Sequence, residues 1–77
     1  MIKINLKDYV FKNNLREKRL ERGLSQSELA KALGCSRNTV SMIERKNVSI
    51  GLTLAIEICR FFGCKFQEIF RLEPINE

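Results

Sequence analysis

Two stretches, Ser25-Gln26-Ser27-Glu28 and Ser36-Arg37-Asn38-Thr39, set a helix-starting serine directly before side chains rich in hydrogen-bond donors. Each serine oxygen can accept from a backbone amide of the first turn, and Glu28, three residues after Ser25, can reach back to the Ser25 amide as a capping box. A helix begun this way presents free N–H groups and the positive end of its dipole, so both starts are suited to an anion of phosphate type. Other chemistry is poorly supplied. The chain has no histidine, Cys35, Cys59 and Cys64 lack zinc-ligand spacing, and there is neither a cofactor loop nor a carboxylate pair on a recognisable cleft. No enzyme and no cofactor or metal is expected, and the cysteines are expected as buried, reduced thiols.

The elements that must position those helix starts are marked by glycine. Gly23, Gly34 and Gly63 each follow a stretch with helical spacing of apolar residues, where a left-handed C-cap favours a residue without a Cβ. The first helix is predicted from about Asn13 to Arg22, with Leu15 and Leu20 inward and Arg16, Lys18, Glu21 and Arg22 mostly outward. The second starts after Ser25, buries Leu29, Ala30 and Leu33, and ends at Gly34. The third is capped by Ser36, turns Val40 and Ile43 inward, and runs to about Arg45. A fourth, from about Gly51 to Phe62, is apolar nearly all round and must be covered on more than one side. A short fifth spans roughly Phe66 to Phe70. Ile2 to Lys7 alternates apolar and polar residues with period two and is expected as a half-buried strand, pairing with Val10 to Lys12 or with Phe70 to Leu72.

Seventy-seven residues suffice for one compact domain and are too few for a second core. With 44% hydrophobic and 30% charged residues, the composition is that of a folded globular chain. No apolar run approaches the roughly 20 residues needed to span a bilayer, and the N-terminus lacks the pattern of a signal peptide, so a cytoplasmic location and no membrane partner are expected. The net charge of +5 is unevenly spread: residues 1–50 hold 11 Lys/Arg against 5 Asp/Glu, and residues 51–77 hold 3 against 4. That asymmetry suits one face for a polyanion and another for packing or self-association, although a solvated charged surface would show the same balance.

The segment from Gln26 to Arg45 is the most restricted. Ala30 is small where the second helix must cross the first, Gly34 permits the positive φ of a tight turn, and Val40 and Ile43 plug the angle between the two helices. With Leu15-Arg16, Arg19, Gly23-Leu24-Ser25-Gln26, Leu29-Ala30, Gly34, Ser36 to Ser41, Ile43-Glu44, Phe62-Gly63 and Ile69-Phe70, the chain resembles the phage repressor and Cro type helix-turn-helix family, often called Xre-like. The resemblance covers about Phe11 to Leu72. It implies an all-α, five-helix lambda-repressor-like domain at 11–72, between an N-terminal extension at 1–10 and a tail at 73–77, and short members of the family carry a small terminal antiparallel β-sheet. Three departures are local: Arg45-Lys46-Asn47 stands in place of an Asn-Gly step, Ile50 in place of a proline, and Lys65 in place of a Ser/Thr cap.

The resemblance implies a transcriptional regulator of specific double-stranded DNA, a repressor that reads an inverted repeat as a homodimer. Arg37, Asn38, Ser41 and Met42 are the candidate base contacts, with Arg37 suited to guanine, Asn38 to adenine, and Met42 either to a thymine methyl or to partial core packing. Gln26, Ser36, Thr39, Arg45, Lys46 and Asn47 are candidates for phosphate. Arg19 and Glu44 match a family salt bridge between the first and third helices, against the alternative of two solvated charges. Leu54, Ile58, Phe61, Phe66 and Phe70 are candidates for a dimer interface, since the last two helices carry more apolar residues than one small core should absorb, against the alternative that all of them fill a single core. Two other functions fit the same domain. An antitoxin or controller protein would add a protein partner, and a protein-interaction module would carry an acidic or apolar third helix instead of Arg37, Arg45 and Lys46.

Overall fold

The computed structural model describes residues 8–46 and 50–75. Its elements run β1 (Tyr9–Asn13), α1 (Leu15–Glu21), α2 (Gln26–Leu33), α3 (Arg37–Lys46), α4 (Leu52–Phe62), α5 (Phe66–Ile69) and β2 (Phe70–Pro74), a mostly helical domain closed by a small antiparallel sheet. Among the described residues no helix is long and apolar enough to cross a membrane.

Each helix end follows from a local residue. Ser25 Oγ accepts from the Glu28 amide at 3.0 Å and Glu28 Oε1 accepts from the Ser25 amide at 2.8 Å, so the expected capping box opens α2. The two Ser25 hydrogen bonds, the backbone one above all, hold the Glu28 carboxyl below its ordinary range. Gly34 closes α2 in the left-handed region at φ 73°, and Gly63 closes α4 the same way at φ 63°. At α5 the missing Ser/Thr cap is replaced from within: an ammonium cannot accept, and Glu68 instead takes the Lys65 amide at 2.6 Å.

Leu15, Leu29, Ala30, Val40, Ile43, Ala55, Ile58, Phe62, Ile69 and Phe70 form the core, with Ile50 among the partly buried residues packed on it. Leu20 does not join them. It is 52% exposed, and Arg19 takes the inward place, because at 100° per residue Arg19 lies about 40° from Leu15 around the helix while Leu20 lies about 140° away. Helix α1 also starts later than expected, since Asn13 ends β1 and its Oδ1 accepts from the Leu15 amide at 3.0 Å. The Asn13 side chain donates in turn to the Ile43 carbonyl at 3.0 Å, joining the strand to α3. Arg22, expected outward, reaches across to α4: its guanidinium donates to the Phe61 and Phe62 carbonyls at 3.2 and 3.0 Å and lies 5.5 and 5.2 Å from the two ring centroids.

The described sheet has two strands. The two segments expected as partners for Ile2 to Lys7 pair with each other, Tyr9 opposite Pro74, Phe11 opposite Leu72 and Asn13 opposite Phe70. Ile2 to Lys7 lies outside the described residues. Phe11 stacks on Phe70 with centroids 5.8 Å apart, and Phe70 meets Phe66 at 5.0 Å, so the sheet packs through aromatic rings onto the α5 end of the core.

Two expected interface residues are therefore core residues. Ile58 is 0% and Phe70 1% exposed within one chain, because α4 turns one stripe onto α2 and the rings of the sheet close over β2; neither has surface left for a second copy. Ile58→Ala should lower the unfolding free energy by about 2–5 kcal/mol, while Phe66→Ala, at a ring 46% exposed, should cost clearly less. Urea denaturation of the two variants checks the ordering.

Candidate nucleic-acid interface

Helices α2 and α3 meet across the Gly34-Cys35-Ser36 turn. Ser36 Oγ accepts from the Thr39 amide at 3.1 Å and shares a 2.9 Å hydrogen bond with Thr39 Oγ1, which fixes the start of α3. Val40 and Ile43 are buried against the α2 residues Leu29 and Ala30, and Ala30 is nearly free of solvent contact. With that stripe turned inward, the opposite side of α3 is set. Arg37, Ser41 and Arg45 follow one another at i, i+4 and i+8, and Asn38 and Met42 lie beside them. Arg37, Asn38 and Arg45 are exposed, Met42 is 39% exposed, and Thr39 and Ser41 are half-buried. The Lys46 side chain and Asn47 lie outside the described residues.

Behind this face is a chain of hydrogen bonds that begins in the core. Arg19 is buried, and its Nε and Nη2 donate to Glu44 Oε2 and Oε1 at 2.7 and 3.0 Å, a two-pronged pair joining α1 to α3. Its Nη1 donates to the Leu24 carbonyl at 2.8 Å, so the guanidinium also holds the turn before α2. The hydrogen bond to Glu44 raises the Arg19 pKa further above its usual value, against the cost of burial.

Glu44 Oε1 accepts one more donor, the Gln26 Nε2 at 3.1 Å, and Gln26 Oε1 accepts from Arg37 Nη1 at 3.3 Å. Chemistry allows this amide only one orientation. A carboxylate can only accept and a guanidinium can only donate, so the Gln26 NH₂ must face Glu44 and its oxygen must face Arg37. The order Arg19, Glu44, Gln26, Arg37 thus runs from a buried charge to an exposed one. Sequence reasoning assigned Gln26 to phosphate alone and missed its place between Glu44 and Arg37, since Gln26 is 18 and 11 residues from those two and on a different helix, so no local spacing links it to them.

Glu44→Ala should cost about 3–5 kcal/mol, because it leaves a buried guanidinium without its counter-charge. Replacing both members with apolar residues, Arg19→Met with Glu44→Leu, should recover much of that loss. Urea denaturation of the two singles and the double gives the coupling, and additive losses would show that the two charges act independently.

The arrangement matches known proteins in sequence and in fold. Residues 15–69 match the helix-turn-helix family. The chain is 38% identical over 65 residues to the uncharacterized HTH-type transcriptional regulator YgzD of Bacillus subtilis, covering 84% of this chain and 98% of that one. It is 44% identical over 62 residues to the uncharacterized HTH-type transcriptional regulator MJ0272 of Methanocaldococcus jannaschii, covering 80% and 94%. The fold is that of the transcriptional regulator VanUg, with a TM-score of 0.75 at 24% identity over 97% of this chain and all of the other. From the capped second and third helices to the match across residues 15–69, the chain belongs to the Xre/Cro-like helix-turn-helix family of DNA-binding transcriptional regulators.

Proposed function

We propose that this chain represses transcription by binding an inverted repeat in double-stranded DNA as a two-fold dimer, with α3 in the major groove. One observation carries the reading. Arg37, the donor best suited to a guanine edge, is exposed at the start of α3 yet held by Gln26, which is itself held by the buried Glu44. A side chain preorganised in this way loses less freedom on binding than a free arginine.

In this reading Arg37 contacts guanine O6 and N7, Asn38 an adenine, and Ser41 and Met42 the next base pair. Gln26, at the start of α2, receives a phosphate through its backbone amide while its side chain steadies Arg37. Ser36 and Thr39 flank the start of α3, and Arg45, Lys46 and Asn47 take phosphate beyond its end, fixing position rather than sequence. Repression then needs only occupancy of DNA that the polymerase requires, and such a ligand places the chain in the cytoplasm. The dimer follows from information content: one recognition helix reads too few base pairs to be unique among roughly 10⁶ or more competing sites. With Ile58 and Phe70 in the core, the pairing surface narrows to Leu54, Phe61 and Phe66, together with the exposed Ile56. The two copies of α3 would lie about 34 Å apart, one turn of B-DNA.

Selection from a random DNA library should return half-sites with centres about 10 base pairs apart. On the selected site, Arg37→Ala should cost about 1–3 kcal/mol and relax one base position, whereas Arg45→Ala should weaken specific and random DNA alike and make the log-log salt slope about 0.9 shallower. Sedimentation equilibrium should give twice the 9.0 kDa chain mass, and Phe66→Glu should return it to one. Recovery of no sequence, or a flat salt dependence, overturns the DNA reading; a single chain per site overturns the dimer.

A further inference from the structure

The end of α4 carries two cysteines whose backbones are tied together by the cap that closes the helix. The Gly63 amide donates to the Arg60 carbonyl at 3.2 Å and the Cys64 amide to the Cys59 carbonyl at 3.1 Å, with Gly63 left-handed between them. These are the two bonds of a Schellman motif, which ties the residue four places before the glycine to the one just beyond it. Here those two positions are Cys59 and Cys64. The 3.1 Å hydrogen bond and standard bond lengths cap their Cα separation at about 7 Å, the limit within which a disulfide forms without backbone movement.

Both thiols are partly exposed and line one open groove with Ile56, Arg60, Gly63 and Phe66, so a small reagent can reach them. The end of α2 supplies a built-in comparison. Cys35 follows Gly34 in the same motif, with the Cys35 amide donating to the Ala30 carbonyl at 3.0 Å, but the facing residue is alanine and offers no second sulfur.

We infer that Cys59 and Cys64 form a dithiol couple that closes reversibly to an intramolecular disulfide across the α4 C-cap, with a low-molecular-weight disulfide as its reactant. One protein thiolate attacks the reagent, forming a mixed disulfide and releasing one small thiol. The second protein thiolate then attacks the mixed disulfide at the protein sulfur and releases the other. The two cysteines lose two electrons and two protons, and the reagent is reduced to two thiols. Burial first, then the neighbouring Cys64 and Glu68, push the Cys59 thiol up, which slows exchange near neutral pH while leaving its end point to geometry. The couple uses no residue of the α3 face and survives failure of the DNA reading, but its groove shares Ile56 and Phe66 with the pairing surface proposed above, so pairing of two copies would slow the reagent's access.

The test is equilibration of the full chain in a buffer of reduced and oxidised glutathione, folded and in urea, followed by alkylation and peptide mass analysis. In the folded chain a species lighter by two hydrogens should join the peptides of Cys59 and Cys64, with a closure constant at least about tenfold above that in urea, because the fold holds the pair together. Cys35 should take at most a mixed disulfide with glutathione. In Cys59→Ser or Cys64→Ser the remaining thiol should behave like Cys35. A closure constant in the folded chain equal to or below that in urea, or separate glutathione adducts on Cys59 and Cys64, would overturn the inference.

Discussion

A buried guanidinium must be matched by an anion and by acceptors for its remaining N–H groups, and in a chain this small that requirement organises much of what surrounds it. Arg19 occupies the inward position of α1 that a leucine could have filled. Its demand is met by both oxygens of Glu44, near the end of α3, and by the Leu24 carbonyl just before α2. Three helices are therefore referred to one group. The angle between α2 and α3 is packed by Val40, Ile43, Leu29 and Ala30, and that inward stripe already turns α3 about its axis. The two-pronged ion pair holds the same rotation, since a rotation by one residue would carry Glu44 out of reach.

The same pair supplies something that apolar residues of similar volume, even at comparable stability, would not. Glu44 Oε1, already bonded to Arg19, accepts a second hydrogen bond from Gln26, and the Gln26 oxygen accepts from Arg37. An apolar substitute would hold the helices together and leave the Arg37 side chain without its tether.

Much of this was legible in the sequence because it rests on local rules. Ser25 with Glu28, Gly34 and Gly63 set helix ends through backbone chemistry that involves a few adjacent residues, and Val40 with Ile43 declares an inward stripe by spacing alone. What could not be read depends on partners far along the chain. Leu20 is apolar, yet five residues from Leu15 it falls on the far side of α1; that a charge can fill the inward place instead, at Arg19, depends on Glu44. Arg22 looked like a surface charge because its acceptors, the last carbonyls of α4, are visible only once α4 is in place. The strand Tyr9–Asn13 is half-buried throughout and carries no period-two alternation to announce it. Of the site, the exposed residues of α3 follow from the stripe they oppose, while the link from Gln26 to Arg37 required the third dimension.

The pairing of Tyr9 with Pro74 brings together the first and last residues of the sheet. The contact spans almost the whole chain, so its loop-closure entropy is among the largest the fold must overcome, and forming it is favoured only once the intervening helices have shortened the path. Strand pairing then acts as a clasp that completes the domain instead of nucleating it. A pull on the two ends would open this clasp pair by pair, like a zip, before any helix bore load. Joined instead by a short linker, neighbouring ends of this kind would allow the chain to be cut and restarted elsewhere without changing its architecture.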